Sequence, residues 1–124
     1  MGEFRLSGSA AAELDEILDW SESNFGSQAR ERYNALLFEA MQNVADAPDQ
    51  PTVRWHRTRG IEIGVYHVEH SRNRVPAEFG RVAEPRHYML FRIGADNVVD
   101  ILGFVHDSML LDRVVRNLPH DRLG

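Results

Sequence analysis

Residues 9–46 read SAAAELDEILDWSESNFGSQARERYNALLFEAMQNVAD, and this stretch decides the fold. In its first half Leu14, Ile17, Leu18, Ser21 and Phe25 recur at helical spacing, with Ala10 beside them. Glu13, Asp15, Glu16, Asp19 and Glu22 take the rest of the circumference. The spacing predicts a helix over 9–24. Ser7 or Ser9 supplies an N-cap oxygen, the early acids suit the positive end of the helix dipole, and Gly26 is placed to end the helix. In the second half Ala29, Tyr33, Leu36, Leu37, Ala40 and Val44 form the apolar face of a helix over 28–46. Ser27 is its candidate cap, and Pro48 and Pro51 stop it. A link of about two residues turns such a pair back on itself as an antiparallel hairpin.

Two aromatics break the pattern. Trp20 stands among Glu13 and Glu16, off the first stripe, and Phe38 lies off the second, beside Met41. Either they contact the neighbouring helix or widen the core face, or they form a partner-binding surface, where exposed aromatics are enriched.

On both sides of the hairpin the hydrophobic period changes from helical to alternating. Phe4 and Leu6 alternate with Glu3 and Arg5, which predicts a short strand over 3–7 with one buried face. Val53 and Trp55 alternate with Arg54 and His56, and Ile61, Ile63 and Val65 with Glu62, Gly64 and Tyr66. His87 to Ile93 is nearly continuous in apolar character, as a central strand should be. The turn-like Gly94-Ala95-Asp96-Asn97 joins it to an apolar strand from Val98 to Val105, making a hairpin. Met109 to Leu118 carries a last short helical pattern through Leu110, Leu111, Val114, Val115 and Leu118, closed by Pro119.

The order is β-α-α-β-β-β-α. This is an α+β architecture, with an N-terminal strand, an antiparallel helical hairpin on one face of a mostly antiparallel sheet, and a short C-terminal helix. No repeat, low-complexity tract or linker divides the chain, so residues 1–124 read as a single domain. Residues 68–86 fit no element. Pro76, Gly80 and Pro85 interrupt them, and Arg72, Arg74, Arg81 and Arg86 are concentrated there. A connection this long in a compact domain is unusual and often functional.

Composition narrows the function. The chain has 124 residues, is 43% hydrophobic and 27% charged, and so belongs with globular domains rather than disordered tails. It has no Cys, which excludes disulfides, thiolate metal sites and Cys nucleophiles and fits a reducing, cytoplasmic setting. No apolar run approaches the ~18 residues of a membrane span, and the opening MGEFRL lacks the apolar core of a secretory leader. The net charge of −5 argues against broad phosphate-driven binding of nucleic acid. Residues 51–92 are the exception, with eight Arg against four acids. All 14 basic residues are Arg, so lysine base and Schiff-base chemistry are excluded.

Three constellations carry chemical residue types. His67 and His70 lie three apart, and on a strand they point to opposite faces, so they read as solvent-facing side chains at a strand end rather than metal ligands. His106-Asp107-Ser108 has the members of a hydrolase triad, but adjacent residues cannot line up as nucleophile, base and orienter, and no Gly-x-Ser-x-Gly elbow exists. The reading there is a strand end followed by a cap. The central arginines are open to three readings: contact with phosphate or RNA, docking of an acidic partner segment, or a solvated strand face. No cofactor or metal is expected.

Several stretches resemble the ParE toxins of bacterial toxin–antitoxin modules. The opening Phe4-Arg5-Leu6-Ser7, followed by Ala10 to Ile17, is similar to that family's strand, small-residue helix start and acidic "DL-x-x-I". Phe25-Gly26 with Ala29 and Tyr33 resembles its hairpin turn, and Ala47-Pro48 the close of its second helix. Arg57-Thr58-Arg59-Gly60-Ile61 resembles "L-R-x-G-L/I", and His87 to Arg92 resembles "H-x-I-x-Y-R". Ile101 to Met109 is similar to the closing "I-L-R-V-L-H-x-S/R-M-D", with Leu110 in place of the usual Asp. The likeness spans 4–118 apart from 68–86.

The resemblance implies the α+β fold shared with RelE-type ribonucleases. It further implies a type II toxin that inhibits DNA gyrase by protein binding and is neutralised by a cognate, ParD-like antitoxin. The alternative within the superfamily is a RelE-like, ribosome-dependent mRNA endoribonuclease. Phosphodiester cleavage needs a base, an acid and cations at the scissile phosphate. With no Lys and no Tyr beyond Tyr88, a base role would fall on a His or a carboxylate, with Arg59 or Arg57 holding the phosphate. The protein-binding, non-enzymatic toxin is therefore the expected reading. Trp20, Phe38 and Met41 are its candidate docking patch, and Arg57 and Arg59 its charged contacts.

Overall fold

Ser7 starts the first helix. Its Oγ accepts the Ala10 N–H at 3.0 Å, one of the two caps expected from the sequence, and α1 runs Gly8–Phe25. We describe a computed structural model covering residues 2–109, 111–116 and 118. Gly26 alone joins α1 to α2 (Ser27–Asp46). Its φ of +94° belongs to a region that only glycine enters readily. Its N–H closes α1 on the Glu22 carbonyl, and its own carbonyl receives the Arg30 N–H that opens α2. Ser27, expected to cap α2, is instead that helix's first residue, and no side chain among the described residues caps it.

The sheet has the order β1-β5-β4-β3-β2, with β1 Phe4–Leu6, β2 Arg54–Thr58, β3 Ile61–His67, β4 His87–Ile93 and β5 Val99–His106. Among the described residues only the β1–β5 pair is parallel. The mostly antiparallel architecture is thus as the sequence implies, with 54–58 and 61–67 forming two strands of one tight hairpin. That hairpin turns on Arg59 and Gly60, both at positive φ (54° and 76°), which matches the right-handed twist of the strands. The β4–β5 hairpin closes with Gly94 N–H on the Val98 carbonyl at 2.9 Å.

Both faces of the sheet are covered. Against the helical hairpin lie Tyr66, Met89, Phe91, Val99, Ile101 and Phe104, packed on Leu18, Leu36, Leu37, Ala40, Met41 and Val44. On the other face Ile63, Val65, Leu90 and Leu102 pack under Val115 of α3 (Leu111–Arg116) and Leu118. Leu110 and Pro119, which the sequence reading used to bound this last helix, lie outside the described residues. In β5 both Ile101 and Phe104 face the helices because a bulge sets Leu102 and Gly103 against Leu90. Trp55 is 39% exposed, its ring edge against Phe91 at 5.4 Å.

Residues 68–86 fold back along α2 as two 3₁₀ turns, Val68–Arg74 and Ala77–Phe79. Val68, Ser71 and Val75 are buried there. Tyr66 Oη lies 2.8 Å from Ser71 Oγ, which donates to Asn43 Oδ1 at 2.6 Å, so a short polar chain ties β3, the segment and α2 together. Arg72 donates to the Val82 carbonyl and Arg81 to the Val75 carbonyl, so two of the central arginines satisfy the segment's own backbone. Among the described residues no helix is long and apolar enough to cross a membrane.

Candidate functional site

Strand register brings distant histidines to one end of the sheet. His87 opens β4 directly opposite His106, which closes β5, and Tyr88 lies opposite both Val105 and His67. Just beyond the strands, the Asp107 N–H donates to the Arg86 carbonyl at 2.8 Å and locks the two flanking residues side by side. Tyr33 reaches this end from α2. Periodicity places it on the apolar stripe, and its ring is indeed buried, but its hydroxyl lies 2.6 Å from His87 Nδ1.

The hydrogen bonds assign the tautomers. Tyr33 Oη accepts the Arg86 backbone N–H at 3.1 Å, and among the described residues the only acceptor beside its own hydrogen is His87 Nδ1, which assigns the His87 ring proton to Nε2. His67 Nδ1 accepts the Glu69 N–H at 3.1 Å, so Nε2–H is the donor to Asp107 Oδ2, also at 3.1 Å. His106 Nδ1 accepts the Ser108 N–H at 3.1 Å, with Ser108 Oγ at 2.8 Å, and again Nε2 keeps the proton. All three imidazoles therefore spend the Nδ1 lone pair inside the chain.

Electrostatics follow from this packing. Burial, helped by the neighbouring His106 and His67, holds the His87 imidazole down to about 4 against the opposing pull of Asp107. Burial pushes the Tyr33 hydroxyl up to about 12. Burial also works to raise the Asp107 carboxyl, but the His67 hydrogen bond and the Arg86 guanidinium outweigh it and leave Asp107 below its ordinary value. Arg86 Nε stands 3.5 Å from Asp107 Oδ1.

Tyr33, Arg86, His87 and His106 line the inner end of an open groove of about 850 Å³, while His67 and Asp107 do not line it. Ile17 and Trp20 of α1 line one wall, with Phe25 at the helical turn and Arg32 on α2. Val82, Glu84 and Arg86 of the 68–86 segment line the other. Trp20 and Phe25 are 61% and 69% exposed and pack edge to face at 5.6 Å between ring centres.

The structure distributes the expected site residues unevenly. Trp20 lines the groove. Phe38 is exposed on α2 but rests against Phe4 at 5.9 Å between rings and does not line it. Met41 is 3% exposed and packs in the core, so its place in a docking patch is corrected: α2 buries a wider face than the stripe through Tyr33, Leu37 and Val44 implied. Arg57 pairs with Glu62 on the edge hairpin at 3.1 Å, and Arg59 donates to the Leu118 carbonyl. Neither lines the groove.

The histidines differ from expectation too. His67, read as solvent-facing, has a side chain only 10% exposed and is held by Asp107. His70 is exposed and leans on the Tyr66 ring. His106 and Ser108 do touch, but Asp107 approaches the same nitrogen that Ser108 occupies, so the orienter and nucleophile positions of a triad coincide. No group of three or more His, Asp or Glu among the described residues could hold a metal ion.

Sequence reasoning missed Tyr33, Arg86, His87 and Asp107 as a group. The signal available was hairpin arithmetic: a turn at 94–97 sets the start of one strand against the end of the next, and both ends carry His.

A family model described as the ParE toxin of the type II toxin–antitoxin system, parDE, matches residues 4–111. No curated protein matches the chain.

Proposed function

The chain belongs to the ParE toxin family of type II toxin–antitoxin systems, and from that premise we propose that it poisons its target by binding, without chemistry of its own. The family makes it the toxin of a two-protein module with an antitoxin partner. In our reading the target is DNA gyrase, the setting is the cytoplasm, and the antitoxin is a ParD-like protein whose tail covers the groove beside α1 and α2. The observation that carries the reading is the exposed Trp20–Phe25 pair at the mouth of a preformed groove. Large aromatics left this open in a small domain mark a protein contact, and such rings are frequent binding hot spots. Arg32 and Arg86 in the same groove favour a partner segment that mixes apolar and acidic residues.

The test is a supercoiling assay with purified gyrase. Inhibition with accumulation of cleaved DNA, relieved by the antitoxin, is the expected result. Unaffected supercoiling at a large excess of toxin removes gyrase as the target.

One observation favours the ribonuclease alternative: His67, His87, His106, Asp107 and Arg86 do converge. A general base, however, needs a lone pair aimed at the substrate, and here each imidazole has its lone pair engaged by Glu69, Tyr33 or Ser108. This ranks cleavage second. Adding the protein to a translating extract decides it: mRNA cut within codons, and no longer cut by an Arg86→Gln protein, would reverse the order.

A further inference from the structure

We propose that the inner end of the groove is an oxyanion site for the phosphate of a nucleotide, whose base lies against the Trp20–Phe25 wall. This goes beyond the docking function and does not depend on gyrase being the target. The argument begins with hydrogen-bond polarity. His87 and His106 face each other across the β4–β5 pair, their ring centres 5.5 Å apart and their planes nearly perpendicular at 83°. Both hold Nδ1 as an acceptor inside the chain, so both keep an Nε2–H. Neither Nε2–H has a hydrogen-bond acceptor among the described residues, and both rings line the groove. Both Nε2–H groups are open to solvent at the groove and so are free to take an acceptor, which a phosphate oxygen supplies.

The surroundings fit an anion of this kind. Arg86 and Arg32 line the same groove, and the Arg86 side chain is half exposed, so its guanidinium can turn part of its fork from Asp107 to a ligand. Asp107 does not line the groove, and the His67 N–H and Arg86 share its charge. Glu16 and Glu84 also line the groove, which selects against a highly charged polyanion and for a single phosphate held by neutral donors. The groove volume of about 850 Å³ lies within the range of small-ligand sites and exceeds what inorganic phosphate alone would fill. Its apolar wall of Trp20, Phe25 and Ile17 offers flat aromatic surface to a base, as in single-strand binding.

The test uses the purified full chain and adenosine monophosphate as the probe, read by calorimetry and by the imidazole nitrogen shifts in NMR. Adenosine, inorganic phosphate and a Glu-rich peptide serve as parallel arms. Saturable binding of the nucleotide that moves the Nε2 signals of His87 and His106 is the expected result. His106→Gln and Arg86→Gln, both exposed positions, should each weaken it about tenfold or more, while Arg54→Gln on the far edge strand leaves it unchanged. Trp20→Ala should weaken the nucleotide but not inorganic phosphate. Four results overturn the proposal: no saturation in the millimolar range, equal binding of adenosine, equal binding of inorganic phosphate, or tighter binding of the Glu-rich peptide at the same residues.

Discussion

Lowering the pH should destabilise this protein well before its carboxylates protonate, and His87 is the reason. Its imidazole is held at about 4 in the fold, against 6.5 when free, chiefly because burial disfavours the charged form. Between those values the unfolded chain binds a proton that the folded chain refuses. Stability therefore falls as pH drops through the unfolded value and levels off below the folded one. Linkage over this interval gives a loss of about 2.5 kcal/mol between about pH 7.5 and pH 4.5. The depressed carboxyls Asp107, Asp96 and Asp46 work in a separate window, since their contribution is present above 3.8 and lost only as pH falls further. Urea melts across the interval measure the effect, and an imidazole NMR titration assigns it. His87→Gln keeps an acceptor for the Tyr33 hydroxyl but cannot titrate, so its stability should be nearly flat over the same range. A loss under about 1 kcal/mol in the unaltered protein, or an equal loss in His87→Gln, would refute the account.

Three further changes probe the packing and the docking face. Gly64→Ala places a Cβ 2.3 Å from Phe91 Cζ, a fully buried ring, and should cost about 1–3 kcal/mol, seen as a Tm lower by several degrees. Ser71→Ala removes the buried link between Tyr66 and Asn43 and should lower the urea midpoint by an amount worth about 1–3 kcal/mol. Trp20→Ala, at a position 61% exposed, should leave the melting temperature nearly unchanged yet weaken antitoxin binding by about 2 kcal/mol or more in calorimetry.

The elements were legible because they depend on local period. Leu14, Leu18 and Ser21 repeat as a helix face, and Phe4 and Leu6 as a strand face, whatever surrounds them. The Ser7 cap and the Gly26 break were equally local. What was not legible depends on contacts far apart in sequence. Met41 looked like half of an exposed pair with Phe38, but the sheet beneath α2 is broad enough to bury it. His67 looked solvent-facing because its partner is 40 residues away at Asp107. Tyr33 was assigned to the core on periodicity, which was right for its ring and silent about its hydroxyl. Arg57 and Arg59 drew attention as charges beside a familiar motif, yet one pairs across its hairpin and the other holds the Leu118 carbonyl.

Residues 68–86 connect these observations. A bare loop of that length would leave its carbonyls to water and its position undefined. Here Val68, Ser71 and Val75 are buried, and Arg72 and Arg81 return to bond the segment's own carbonyls. The segment is therefore a fixed wall, and with α1 and α2 it forms the groove before any partner arrives. A preformed site spares a binding partner the ordering cost of shaping it, so a few anchors at Trp20 and Phe25 can hold a short segment firmly. The same arginines, which as a cluster suggested contact with phosphate or an acidic partner, divide by position. Arg72 and Arg81 build the wall, and Arg86 is the member of the cluster that lines the groove. Any charge-dependent binding at this groove should therefore follow Arg86 and Arg32 and be insensitive to the edge-strand arginines.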